Sequence, residues 1–154
     1  MTIVEGQCRC GDIRYQSVDI GPAGFYACHC GQCRRLLGTS FALNLPTRKD
    51  LVEIQGELQG RDYQTAPGRG NRSYFCPNCH SHVFSANSWR KGVLVVRAGT
   101  VTNLDDCEML GHVWTSSKQS WVRIGPDETA FSESPTEDEW RSLFGNRNRL
   151  FDEF

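Results

Sequence analysis

The stretch Cys28-His29-Cys30-Gly31-Gln32-Cys33 places three thiols and an imidazole within six residues, a density that implies a bound metal. If Cys28 and Cys30 lie on extended backbone, the two-residue period of a strand turns both sulfurs to one side and His29 to the other. Gly31 permits a sharp turn, and Gln32-Cys33-Arg34-Arg35-Leu36-Leu37 opens a short predicted helix that Gly38 stops. Cys33 then lies near a helix N-terminus, where the dipole and free backbone N–H groups favour thiolate over thiol. Three thiolates converging in this way form a metal site with three protein ligands.

The chain has eight cysteines, and all but Cys107 fall into C-x-C or C-x-x-C spacings suited to zinc. Its first residues lack a basic n-region and an apolar h-region, and no apolar run approaches bilayer length, so a soluble, cytoplasmic protein is expected. In a reducing cytosol clustered thiols are metal ligands more often than disulfide partners, which are the competing reading. Cys107 reads as a small buried hydrophobe. A length of 154 residues fits one domain. Lys and Arg (17) nearly balance Asp and Glu (18), and the formal net charge of -1 gives no basic face for nucleic acid or a membrane surface.

Most of the chain reads as strand. A hairpin from Ile3 to Val18 carries Cys8 and Cys10 at its tip, and Phe25-Tyr26-Ala27 delivers Cys28. Further strands are predicted at Thr39–Leu45, ended by Pro46, and at Leu51–Gln55 and Leu58–Tyr63, with a polar loop over Thr65–Asn71. Ser73-Tyr74-Phe75 leads into the knuckle Cys76-Pro77-Asn78-Cys79-His80, and His82–Ala86 leaves it. Val93–Ala98 and Glu108–Thr115 are the last predicted strands. Ser134-Pro135-Thr136-Glu137 supplies an N-cap, a proline and a capping-box glutamate for a terminal helix bearing Trp140, Leu143 and Phe144 and stopped at Gly145. Leu150, Phe151 and Phe154 then dock on the domain or meet a partner. Residues 1–133 form the predicted zinc-binding β domain, and 134–154 a helical extension packed on or flanking it.

Seven clustered thiols cannot fill two four-cysteine sites. Pairing Cys8 and Cys10 with Cys76 and Cys79 completes one tetrahedral set with a structural role, whereas pairing Cys76 and Cys79 with two of the Cys28 cluster would strand the first hairpin's thiols. Cys28, Cys30 and Cys33 then match the catalytic pattern of three protein ligands plus water or substrate. The alternative is closure of the set by His29, His80, His82, His112 or Cys107. A substrate thiol held there as thiolate could add reversibly to a carbonyl. Arg34 and Arg35 are candidates for steering a small anionic thiol, or form a solvated helix face. His29 is a candidate proton carrier, or bonds only to backbone. Seven thiolates and two zinc ions together add -3 to the formal charge of -1, giving a holo-protein that repels polyanions.

The ordered set Gly6-Gln7-Cys8-Arg9-Cys10-Gly11, Cys28-His29-Cys30-Gly31-Gln32-Cys33-Arg34, Cys76-Pro77-Asn78-Cys79 and His112-Val113-Trp114 with Trp121 resembles the glutathione-dependent formaldehyde-activating enzyme family, which includes centromere protein V-like members. The resemblance spans about residues 4–131. It implies a mainly β, Mss4-like (β-tent) fold stapled by zinc. It also implies a structural zinc at Cys8, Cys10, Cys76 and Cys79, and a second zinc at Cys28, Cys30 and Cys33 where glutathione chemistry occurs. The implied activity is that of a carbon–sulfur lyase, in which S-hydroxymethylglutathione forms from, or returns to, formaldehyde and glutathione. His80 departs from the pattern, standing where the family more often shows glycine.

Two functions follow as expectations. One is a zinc enzyme acting on a small thiol adduct, with glutathione or a similar thiol as co-substrate and no nucleic-acid or membrane partner. The other is a non-catalytic zinc-stabilised module that meets a protein partner, or a second copy of itself, through the C-terminal helix and tail. An iron–sulfur cluster on the same thiols is a third reading, separable by its visible absorption.

Overall fold

The computed structural model describes residues 1–152, apart from the side chain of Ala66; Phe154 lies outside the described residues. Strands β1 (Glu5–Gln7) and β2 (Arg14–Ser17) form the predicted hairpin. After β3 (Gly24–Cys28) comes helix α1 (Gly31–Leu37), which Gly38 ends in the left-handed conformation at φ 64°. Strands β4 (Ala42–Arg48) and β5 (Val52–Gln55) follow, then β6 (Gln59–Ala66), β7 (Arg69–Phe75), β8 (His82–Asn87), β9 (Val93–Arg97) and β10 (Glu108–Val113). Helix α2 (Glu137–Phe144) is the only other α-helix among the described residues.

Among the described residues ten strands make two sheets, one ordered β1-β2-β5 and the other β10-β3-β4-β9-β8-β7-β6. All pairings between these strands are antiparallel except β10 on β3. This mainly β, two-sheet body agrees with the expected Mss4-like fold. The sheets share one core, in which Ile13 and Tyr15 of the small sheet's hairpin meet Leu45, Phe84 and Val96 of the large one. Tyr15 and Phe84 touch edge to face across the gap, with centroids 5.0 Å apart. A second cluster forms on the opposite face of the large sheet from Cys28, Ala42, Leu110, Val113, Trp140, Phe144 and Leu150. Strand alternation sorts residues between the two: Phe25, Leu43, Leu94 and Val96 face the first core, and Tyr26, Cys28, Ala42 and Val93 the second.

Helix α2 uses its apolar stripe on that second face, where Tyr26 meets the Trp140 ring at 4.9 Å and the Phe144 ring at 6.2 Å. Leu150 and Phe151 pack into the same cluster, and Arg141 lies over the Phe151 ring. None of the described helices is long and apolar enough to cross a membrane.

Three local expectations are corrected. Pro46 does not end its strand; β4 continues to Arg48 with Pro46 opposite Val95. N–H and C=O of one strand residue point the same way, and the Pro46 carbonyl faces the Asn148 side chain rather than β9, so the missing proline N–H removes no bond to β9. The run 65–71 is not a loop: β6 and β7 pair through Ala66↔Arg69 around Pro67-Gly68, with Gly68 at φ 74°. The α2 N-cap is Thr136 rather than Ser134. Thr136 Oγ1 accepts from the Glu139 amide at 3.2 Å while Glu139 Oε1 accepts from the Thr136 amide at 3.1 Å, a complete capping box two residues further on.

Candidate metal centres

The two thiol-tipped turns, one after β1 and one between β7 and β8, bring Cys8, Cys10, Cys76 and Cys79 together, with all four sulfurs within 4.8 Å of one another. Cys8 Sγ lies 3.6 Å from Cys10 Sγ, which lies 3.7 Å from Cys76 Sγ. A zinc–sulfur bond of about 2.3 Å in a tetrahedron separates its sulfurs by roughly 3.8 Å, so the donor set fits zinc. The sulfurs also carry the donors that ligating thiolates need. The Ile13 amide donates to Cys8 Sγ at 3.3 Å and Asn78 Nδ2 to Cys10 Sγ at 3.5 Å. Ser81 hydrogen-bonds Cys79 Sγ at 3.2 Å, and its hydroxyl and amide hold that thiol down at about 5. The Ser81 hydroxyl also accepts from the Arg9 amide at 3.0 Å, tying the two turns together directly.

The second set grows from the end of β3. Cys28 closes the strand, Cys30 is the N-cap of α1 at φ -65° and ψ 149°, and Cys33 occupies the first turn. Their sulfurs also lie within 4.8 Å of one another. The Cys33 amide donates to Cys30 Sγ at 3.3 Å, so a sulfur takes the capping role that serine or aspartate fills elsewhere. Hydrogen bonds from the Cys28 and Cys33 thiols, and then from the Cys33 and Gln32 amides, pull the Cys30 thiol far down, while hydrogen bonding with Cys30 and then Cys33 pushes Cys28 up. Metal-free, the trio holds one thiolate readily and resists a second charge; a divalent cation removes that conflict, so this set too fits zinc. Among the described residues no histidine, carboxylate or further cysteine joins it within 4.8 Å. Cys107 is half-buried and packs against the first core instead.

His29 turns away from the sulfurs and is fully buried. Its Nε2 lies 2.9 Å from His112 Nδ1, and His112 Nε2 lies 3.1 Å from Glu128 Oε1. The carboxylate only accepts, which places a proton on His112 Nε2; His112 Nδ1 then accepts from His29 Nε2–H, and His29 Nδ1 is left as a bare acceptor without a partner. Burial keeps His29 below its ordinary pKa, with His112 adding to the effect. The His29 amide donates to the Val113 carbonyl at 3.0 Å, and Ser117 Oγ to the His29 carbonyl at 3.1 Å. The residue between two candidate ligands is thus held by three hydrogen bonds, two from β10 and one from the turn after it.

Arg34 is half-buried with its Nε unpartnered, and Arg35 is exposed. A Cβ added to Gly31 would sit 3.1 Å from Arg35 Nη1 and 3.8 Å from Arg34 Nη2, so both arms fold back over the start of α1 beside Cys30. His82 bonds Ser73 Oγ at 2.8 Å, and His80 sits at the knuckle with φ 61°. Sequence reasoning missed the partners of His29. His112 was visible as one histidine among several, and Glu128 lies in an irregular segment where no periodicity points to it. Arg97 is hidden at the end of an apolar strand, although alternation along Val93–Arg97 places it on the face opposite Leu94 and Val96.

Two cysteine sets carried on the turns of a two-sheet body define a thiol-rich, metal-binding β protein. The sequence pattern of the glutathione-dependent formaldehyde-activating enzymes matches residues 3–117, and the chain belongs to that family. A Halomonas elongata protein, whose name provisionally makes it a glutathione-dependent formaldehyde-activating enzyme, is 28% identical over 155 aligned positions, covering 93% of this chain and 97% of its own. A Rhodobacter sphaeroides protein of known crystal structure superposes with a TM-score of 0.49 at 17% identity, over 82% of this chain and 98% of its own.

Proposed function

We propose that this chain is a zinc-dependent carbon–sulfur lyase that makes and breaks the adduct of a small thiol with an aldehyde, with glutathione and formaldehyde the pair that the family name supplies. The observation that carries this reading is the inequality of the two thiol sets. Four sulfurs complete one set, and three form the other without a fourth protein donor among the described residues. Zinc in the three-cysteine set would supply a Lewis acid that keeps a bound thiol ionised at neutral pH.

In this reading Cys28, Cys30 and Cys33 hold the reactive zinc, and Cys8, Cys10, Cys76 and Cys79 hold a structural one that staples the two turns. Arg34 and Arg35 draw the carboxylates of an anionic thiol toward Cys30. His29, through His112, Val113 and Ser117, keeps Cys28 and Cys30 in their relative positions. In the forward direction the substrate sulfur donates a lone pair to the carbonyl carbon, a C–S bond forms, and the C=O π pair moves to oxygen, which takes a proton. The reverse reaction breaks the C–S bond and returns the proton. A cytoplasmic setting suits thiols that must stay reduced. Residues 1–133 carry both sets, and 134–154 act as an extension that supports the Cys28 face.

Cobalt substitution tests the reading. Glutathione should shift the visible spectrum of the protein with cobalt in both sets, and adding formaldehyde should give turnover of the adduct. Cys30→Ser should release one metal equivalent and abolish turnover while the fold persists. A cobalt spectrum indifferent to thiols, together with no adduct turnover, would sink the enzyme reading.

A further inference from the structure

Arg97 ends β9 with only 6% of its surface exposed, and among the described residues no carboxylate lies within ion-pair distance of it. Leu94 and Val96 enter the first core, so alternation turns Arg97 to the other face, the one that carries Tyr26 and Cys28. The register makes this a row: Tyr26 pairs with Asn44, and Asn44 with Arg97, across β3, β4 and β9. Cys28 lies two residues along from Tyr26 on the same strand face. Arg97 Nη1 donates to Asn44 Oδ1 at 2.7 Å, and Nε has no partner. Ser85 and Ser73, both buried and paired with each other, stand in the next row on the same face, with Ser85 opposite Val95.

A buried guanidinium with an unmet donor and no carboxylate calls for an anion. The thiolates nearby supply diffuse charge, but a carboxylate matches the planar fork of arginine. We propose that Arg97 anchors the carboxylate of a small thiol whose sulfur lies at Cys28, Cys30 and Cys33. This rests on reading that set as the thiol site. Arg97 fixes which thiols are accepted: those with a carboxylate a few bonds from sulfur.

Calorimetric titration of the zinc-loaded protein with 3-mercaptopropionate and its neutral isostere 3-mercaptopropionamide tests this. The acid should bind about ten- to a hundredfold more tightly than the amide, the range of a charge-assisted hydrogen bond. Arg97→Gln should abolish that preference and leave the amide's affinity unchanged, and Arg97→Lys should restore part of it. Equal binding of acid and amide to the unaltered protein overturns the anchor alone, as does an Arg97→Gln variant that weakens both equally. Failure of the unaltered protein to bind either thiol overturns the thiol-site reading and the anchor together. The comparison in the unaltered protein stands even if Arg97→Gln does not fold.

Discussion

Asn148 donates its side-chain amide to the carbonyl of Pro46 at 2.8 Å, completing a ladder that proline breaks. The register that pairs Tyr26 with Asn44 would next pair Gly24 with Pro46, but Pro46 has no N–H to give Gly24. Asn148 fills the gap: Oδ1 accepts from the Gly24 amide, and Nδ2 donates to the Gly24 carbonyl, each at 2.8 Å. Thr47 Oγ1 also donates to the Asn148 carbonyl at 2.8 Å. The segment after α2 is therefore bolted to β3 and β4 of the large sheet, which seats Leu150 in the cluster beside Cys28.

Asn148→Ala strands the Gly24 amide, the Gly24 carbonyl and the Pro46 carbonyl in the interior, and leaves alanine at φ 60°. A loss of about 3 kcal/mol in urea unfolding of the zinc-loaded protein is expected. A loss below about 1 kcal/mol would mean that water takes over all three bonds.

How much of this was legible in the sequence depended on the range of the interaction. The hairpin bearing Cys8 and Cys10, the strand delivering Cys28 and the helix stopped by Gly38 are set by residues close in sequence, and their spacing predicts them. Pro46 misled because a rule about local backbone cannot foresee an asparagine 102 residues away supplying the missing donor. Thr136 displaced Ser134 as N-cap because both offer a hydroxyl, and only Thr136 has a glutamate three residues on that reaches back. The His29–His112 pair spans 83 residues, and nothing in local spacing says which histidine comes near.

His112→Ala removes the only hydrogen-bond partner that a buried His29 Nε2–H has among the described residues. The expected cost is about 1–3 kcal/mol of stability. Zinc affinity at the three-cysteine set should fall about ten- to a hundredfold through loss of second-layer support, with the four-cysteine set unaffected. Competition with a chromophoric chelator resolves the two sets, and an equal fall at both would show that His112 acts on the whole fold. Glu128→Gln keeps an acceptor for His112 at a partly exposed position, so its effect should be smaller on both measures.

His82 gives a pH dependence with a defined sign. Burial, with the positive charge of Arg97 adding, lowers its pKa in the fold below the ordinary value of 6.5. Above that value the ring is neutral in both states and contributes no slope. As pH falls below 6.5 the unfolded chain takes up a proton that the folded chain refuses, so unfolding is favoured. Thermal midpoints measured from pH 7.5 down to 5.5 should fall more steeply in the unaltered protein than in His82→Asn. Parallel slopes would remove His82 from the account.

At His80 a substitution should stabilise. The residue follows the second thiol pair with φ 61°, and its amide donates to the Cys76 carbonyl at 2.8 Å, closing the knuckle. A side chain in that left-handed conformation meets its own carbonyl, at a cost of about 1–2 kcal/mol that glycine avoids. Glycine returns part of the gain through the greater freedom of the unfolded chain, about 0.5–1 kcal/mol. His80→Gly should therefore raise stability by roughly 0.5–1 kcal/mol, with zinc bound as before. A loss of stability would instead assign the His80 ring a contact that outweighs the backbone strain.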